Sequence, residues 1–242
     1  MSIWGKVLGG AAGFAIGGPL GAIVGAALGH VADKQSQDET GPREGTRGIS
    51  FTIGVIVLGA KMAKADGTVT RDEVTAFRQV FQVPPHEVKN VARIFDRAKQ
   101  EAEGFEPYAQ QLARMFRDNK GVLEDLLDAL FHIAKADDVL HPAEIEFLQR
   151  CAAIFGFSAA EYERIQAGHA TGDDKDPYVI LGVDRGSDDV AIKAQYRKLI
   201  RENHPDTLIA QGVPQEFVDI ANDKLAAIND AYDQVQKHRG FN

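Results

Sequence analysis

The tripeptide His204-Pro205-Asp206 places an imidazole, a fixed backbone angle and a carboxylate on three consecutive residues. Imidazole changes charge near neutral pH, so His204 alone suits either an exposed loop or half of an acid–base pair. No nucleophile with a partner acid lies nearby in the sequence, which leaves general acid–base chemistry with little support. Just upstream, Lys193, Arg197 and Arg201 recur at i, i+4 and i+8 with Lys198 beside them, and no acid interrupts 193–201. This cationic helix face stands out in a chain that is acidic overall. A second group is acidic. Asp66 and Glu73 return 71 residues later as Asp137 and Glu144, oxygen donors of the kind a hard divalent cation takes if the fold brings both turns together. The same four residues have a plainer role, with aspartate turning the chain and glutamate complementing the dipole at a helix N-terminus. A calcium-type EF-hand is excluded, because Arg71 stands where that loop requires glycine.

The elements that must carry these residues are helical. After a short apolar segment, Asp176–Val183, Ser187 suits an N-cap with Asp188 and Asp189 in the first turn. Ile192, Tyr196 and Leu199 then form an apolar face opposite the cations. The helix must stop at His204-Pro205, because proline disfavours helical geometry in the residue before it. A final helix from Pro214 sets Phe217, Ala221, Leu225, Ile228, Tyr232 and Val235 at core spacing, so the expected unit is a helical hairpin across a long loop holding the tripeptide. From Ser50 to Ala167 the apolar residues recur at helical spacing in about six segments, and no long alternating run suggests a strand. Within them Ala63-Lys64-Ala65-Asp66-Gly67 is echoed by Ala134-Lys135-Ala136-Asp137-Asp138. The chain is therefore expected to be all-α.

The amino terminus differs in kind. Val7–Gly29 is 23 residues without a charge, and eight of them are glycine. As one helix it would be roughly 34 Å long, enough to cross a hydrocarbon core. Gly13, Gly17, Gly21, Gly25 and Gly29 recur every four residues, a face on which a second helix can approach closely and a homodimer could form. The run suits three arrangements: a self-associating transmembrane helix, which we favour, a cleaved signal peptide, or a short hairpin bent at Gly17-Gly18-Pro19. Lys6 lies before it and Lys34, Arg43 and Arg47 after it, which tilts the orientation toward a cytosolic carboxyl side.

The 242-residue chain has one cysteine, Cys151, and a net charge of −8. A disulfide framework and zinc ribbons are thereby excluded, and a nucleic-acid footprint is not expected on so acidic a chain. The expected units are an apolar segment at 1–32, a linker at 33–48, a helical domain at 49–167, a linker at 168–175 and the hairpin domain at 176–242.

Three resemblances follow from these motifs. The Asp176-Pro177-Tyr178…Leu181-Gly182-Val183 opening, Tyr196–Leu199, His204-Pro205-Asp206 and Ile228–Tyr232 together resemble the J domain of the DnaJ family. That resemblance implies a co-chaperone, not an enzyme, whose tripeptide and basic face (Lys193, Arg197, Lys198, Arg201) dock on a DnaK-type chaperone and accelerate its ATP hydrolysis. The duplicated acidic motif resembles the TerB-like domain, which implies a helical pseudo-two-fold layout and associates Asp66, Glu73, Asp137 and Glu144 with a divalent cation; no other cofactor is expected. The order of apolar segment, TerB-like middle and C-terminal J domain resembles the membrane-anchored DjlA type of bacterial co-chaperone. This implies a single pass through the inner membrane with the carboxyl part cytoplasmic, a wholly cytoplasmic protein being the alternative. It lacks the Gly/Phe-rich stretch and zinc repeats of other DnaJ-family members. Two other functions compete: a metal-sensing stress adaptor with the J domain as its output, and a scaffold carrying a degenerate J domain.

Overall fold

The computed structural model describes residues 17–28, 44–66, 75, 83–85, 87–100, 104–136, 140–170, 175–211, 213–214 and 217–241. The described elements are all helical: α1 (Gly18–Leu28), α2 (Glu44–Asp66), α3 (Val88–Gln100), α4 (Glu106–Met115), α5 (Lys120–Ala134), α6 (Pro142–Ile154), α7 (Ala159–Gly168), α8 (Pro177–Leu181), α9 (Asp189–Glu202), α10 (Pro205–Gln211) and α11 (Val218–Arg239). Residues 51–63 of α2 are apolar but for Thr52 and Lys61 and are buried on every side, the pattern of a helix buried all round. Phe51, Ile53, Ile56, Leu58 and Met62 are fully buried, and α3, α4, α5 and α6 pack around them. The bundle is punctuated by local chemistry. α2 ends at Asp66, inside the first acidic motif, and α5 at Ala134, the first residue of the second. α7 starts with a reciprocal capping box, in which the Glu161 N–H donates to Ser158 Oγ and the Ser158 N–H donates to Glu161 Oε2 at 2.8 Å.

The amino-terminal helix departs from expectation. Gly17 and Gly18 both have φ of +60°, a left-handed geometry that interrupts a right-handed helix and that glycine alone adopts freely. A single helix running through the segment is therefore interrupted at Gly17-Gly18; residues 1–16, the other arm of the hairpin arrangement, lie outside the described residues. α1 has 11 residues, or roughly 16 Å. No helix among the described residues is long and apolar enough to cross a membrane. Leu20, Ile23 and Val24 are instead buried in the bundle core, and α1 lies against α3 and α4. Gln111 of α4 fixes the bend: its Oε1 accepts from the Leu20 N–H at 3.0 Å and its Nε2 donates to the Gly17 carbonyl at 2.9 Å. Of the glycine face, Gly21 is buried and Gly25 faces open space; Gly13 and Gly29 lie outside the described residues.

The carboxyl-terminal unit has its own core, made by Tyr178, Ile180 and Leu181 of α8, Ile192 and Leu199 of α9, and Ile228, Ala231 and Val235 of α11. Asp188, one residue later than expected, is the N-cap of α9; its side chain accepts from the Ala191 N–H at 2.6 Å. The expected long loop holds a helix, α10, and the final helix begins at Val218. Phe217 and Ala221 do not join the hairpin core. With Leu208 and Val213 they belong to the bundle core, and the Phe217 ring meets Phe51 edge-on at 4.7 Å. Helical spacing told that these residues were buried, and packing decided against what.

Candidate partner-docking site

α9 and α10 position the tripeptide. Asn203 caps α9 by donating its N–H to the Leu199 carbonyl at 3.0 Å. Pro205 then opens α10, where its missing N–H costs nothing and its fixed φ suits the first turn. The His204 carbonyl accepts from the Leu208 N–H at 3.0 Å, and His204 Nδ1 accepts from the Asp206 N–H at 3.2 Å. The imidazole is thereby oriented by the backbone while its side chain remains 50% exposed and that of Asp206 90% exposed. The tripeptide thus sits at a helix start rather than in a plain turn, with its carboxylate in the first turn of α10, where the dipole favours it.

The structure divides the four expected cations. Arg197, Arg201 and His204 share one open hollow of about 360 Å³ with Tyr196, Ile200 and Thr207. Tyr196 forms its floor by stacking on Tyr232, ring centroids 3.9 Å apart, and donating its hydroxyl to Asn229 Oδ1 at 2.9 Å. Lys193 is half-buried, its ammonium 5.3 Å from the Phe241 ring. Lys198 lies round the helix, in a separate groove shared with Glu161, Arg164 and Gly182. One face at i, i+4 and i+8 therefore survives as two arginines and a histidine. The hollow presents two guanidinium groups and a ring nitrogen beside the Tyr196 and Thr207 hydroxyls.

Residues 1–47 match the family described as the co-chaperone DjlA transmembrane domain, 52–167 that of tellurite resistance protein TerB, and 176–239 the DnaJ domain. The chain is similar over 99% of its length to a protein named co-chaperone protein DjlA from Photobacterium profundum, at 31% identity and with all of that relative covered. Proteins of the same name from Aliivibrio fischeri and Coxiella burnetii are 33% and 30% identical, over 100% and 98% of this chain and of the relative respectively. The chain belongs to the DjlA family of co-chaperones. No solved structure matches it.

In this DjlA-family chain, Glu144 is the one expected metal ligand whose side chain lies among the described residues. Glu144 is buried, and its Oε2 accepts from the His141 N–H at 2.9 Å, the capping role that glutamate plays at a helix N-terminus. Glu73, Asp137 and the Asp66 side chain lie outside the described residues. No group of three or more histidine, cysteine or acidic side chains among those described could hold a metal ion. Burial pushes the Cys151 thiol well above its ordinary value, with Glu106 adding to the shift, so it is not poised as a thiolate.

Spacing alone did not reveal the second charged feature. Glu124, Asp125 and Asp128 of α5 are buried. Lys224 of α11, in the J domain, reaches them: it hydrogen-bonds Asp125 and lies 2.7 Å from Asp128 Oδ2 as an ion pair and 3.6 Å from Glu124 Oε1. From α7, Arg164 pairs with Glu124, and His169 Nε2 is 2.8 Å from Asp128 Oδ1. Burial alone would depress the Lys224 ammonium, but three carboxylates hold it above its ordinary value. Burial pushes Asp125 up to about 7, helped by Asp128 and Glu124 and opposed by Lys224. Burial would raise Asp128 too, but Lys224 and the His169 hydrogen bond overcome it and hold that carboxyl below its usual range. Three acids at i, i+1 and i+4 inside an otherwise apolar helix were the only signal in the sequence.

Proposed function

We propose that the chain stimulates ATP hydrolysis by a DnaK-type chaperone, and that its amino-terminal segment tethers this activity at the bacterial inner membrane with the TerB-like and J domains in the cytosol. The observation that carries this is the convergence of Arg197, Arg201 and His204 on one open hollow lined by J-domain residues alone. Two arginines there steer an acidic partner face into register. Pro205 and the Asp206 N–H hold the imidazole and carboxylate in one arrangement at the rim. No bond is made or broken in this chain; the tripeptide acts on the partner's switch between nucleotide states. The DjlA transmembrane match over 1–47 supports the tether. Docked as α1 is on the bundle, Leu20, Ile23 and Val24 would leave the core to enter lipid.

Single-turnover ATP hydrolysis by a DnaK-type chaperone, with the full chain titrated in, tests this. His204→Gln is expected to abolish stimulation with an unchanged circular dichroism spectrum, because the imidazole makes no core contact. Arg201→Glu is expected to raise the concentration needed, and the defect should shrink in high salt as screening weakens steering in both proteins. Undiminished stimulation by a folded His204→Gln chain refutes the mechanism.

A further inference from the structure

Asn203, the residue immediately before His204, is 1% exposed, and its side chain is fully engaged. Its Nδ2 donates to the Leu199 carbonyl at 2.9 Å, and its Oδ1 accepts from Lys224 Nζ at 3.0 Å. Lys224 belongs to the J domain, yet Glu124, Asp125 and Asp128 of the TerB-like domain hold its ammonium. Two side chains thus span from α5 to the residue from which the tripeptide hangs.

A second contact brackets the same loop. A Cβ placed on Gly121, at the start of α5, would lie 2.9 Å from the Glu202 carbonyl oxygen and 3.2 Å from Leu208 Cδ2. Glu202 ends α9 and Leu208 lies in α10, so the bundle touches the chain on both sides of 204–206. Only a residue without a side chain permits that approach. Leu208, Val213 and Phe217 continue the attachment into the bundle core. The hollow holding Arg197, Arg201 and His204 nevertheless stays open, with no bundle residue in its lining. Docking therefore braces the loop without covering the face it presents.

We propose that the TerB-like domain positions the His204-Pro205-Asp206 tripeptide for the chaperone partner, with Lys224 and Asn203 as positioning residues that carry the docked geometry across the domain boundary. The proposal rests on the function proposed above. It gives the middle domain a role in the J domain's own action, separate from any choice of client. A tripeptide released from this brace would hold its competent orientation for only a fraction of the time, and apparent affinity falls by that fraction.

The test uses the full chain with Lys224→Met, Asn203→Ala and Gly121→Leu, which attack the path from three points and leave His204, Arg197 and Arg201 in place. Amide hydrogen exchange without partner is expected to quicken about tenfold or more at residues 203–208 in each variant, as local opening becomes cheaper. In single-turnover assays the concentration for half-maximal stimulation is expected to rise about tenfold while the maximal rate stays at the wild-type value. His204→Gln should do the reverse, losing the maximum while exchange in the window stays unaltered except at the Asp206 amide, whose acceptor is His204 Nδ1. If Lys224→Met fails to fold because three carboxylates lose their partner, Asn203→Ala and Gly121→Leu decide the matter. Unchanged exchange in the folded variants overturns the proposal; so does faster exchange with unchanged half-maximal concentration, and so does improved stimulation. A wild-type chain that stimulates nothing would defeat the proposed function, whereas the exchange arm would still show whether α5 holds the tripeptide.

Discussion

Truncating Phe217 to alanine tests whether the J domain is built into the bundle or merely appended to it. Phe217 is 2% exposed, and its ring lies edge-on to the fully buried Phe51 of α2, centroids 4.7 Å apart and planes at 75°. Emptying such a site costs about 3–5 kcal/mol in lost transfer energy and residual cavity. Of that, about 0.5–1.5 kcal/mol belongs to the ring pair itself. At a slope of about 2 kcal/mol per molar urea, the unfolding midpoint should fall by about 2 M. The location of the damage is the sharper readout. Phe217 precedes α11 in the chain, but its partners are bundle residues, so the amides of α2 should exchange about 10²–10³-fold faster, as each 1.4 kcal/mol is tenfold. Amides around Ile192 and Leu199, which belong to the separate hairpin core, should keep their protection in the same experiment. Urea denaturation followed by circular dichroism gives the first number, and amide exchange with mass spectrometry the second. A loss below about 1 kcal/mol, or one confined to α9 and α11, refutes the assignment of Phe217 to the bundle.

Two further outcomes are expected. Asp125 has a folded-state value raised to about 7, above its ordinary 3.8, so the folded chain binds the extra proton and stability declines as pH rises from about 4 to 7. Asp125→Asn should remove that decline, measured as urea midpoints across the window from about pH 4 to 8. Asp128 is shifted the other way, so its contribution is present above its ordinary value and lost as pH falls below about 4; Asp128→Asn should cost about 3 kcal/mol at neutral pH, leaving Lys224 and His169 short of a partner, and progressively less in acid. Equal pH profiles for the two variants would contradict the opposite environments of neighbouring acids. At the amino terminus, Gln111→Leu strands the buried Leu20 N–H and leaves the Gly17 carbonyl with the Gly21 N–H alone, which should lower stability by about 1–3 kcal/mol and speed exchange at Leu20; unchanged exchange there would show that Gln111 does not hold the bend.

What lies close together in the chain was legible from residues alone. Helix content followed from 3.6-residue periodicity, since an apolar face must be buried wherever the helix sits. The break at His204-Pro205 followed from proline's steric demand on the residue before it, and Glu144 from the dipole and the capping box of a helix N-terminus. The cations of α9 could be placed on one side because helix geometry fixes their spacing, although Lys193 and Lys198 turned to other surroundings once Phe241 and α7 had been placed. The bend at Gly17-Gly18 was legible as an option among three, for glycine permits a left-handed residue without requiring it.

The partners of buried residues were not legible. Phe217 and Ala221 have the same periodicity as Ile228 and Val235, yet the first pair joins the bundle and the second the hairpin; a helix sequence declares a buried stripe but not which neighbour covers each stretch of it. No spacing in the sequence paired Lys224 with Glu124, Asp125 and Asp128, because burying charge is unfavourable until a partner of opposite sign arrives. That partner comes from 99 residues away for Asp125 and Lys224. By itself the sequence determined the helices, the tripeptide and the family to which they point. Only the tertiary structure decided that Lys224 and Asn203 join the tripeptide's loop to α5, because that depends on distances between residues remote in the chain, and no local spacing encodes them.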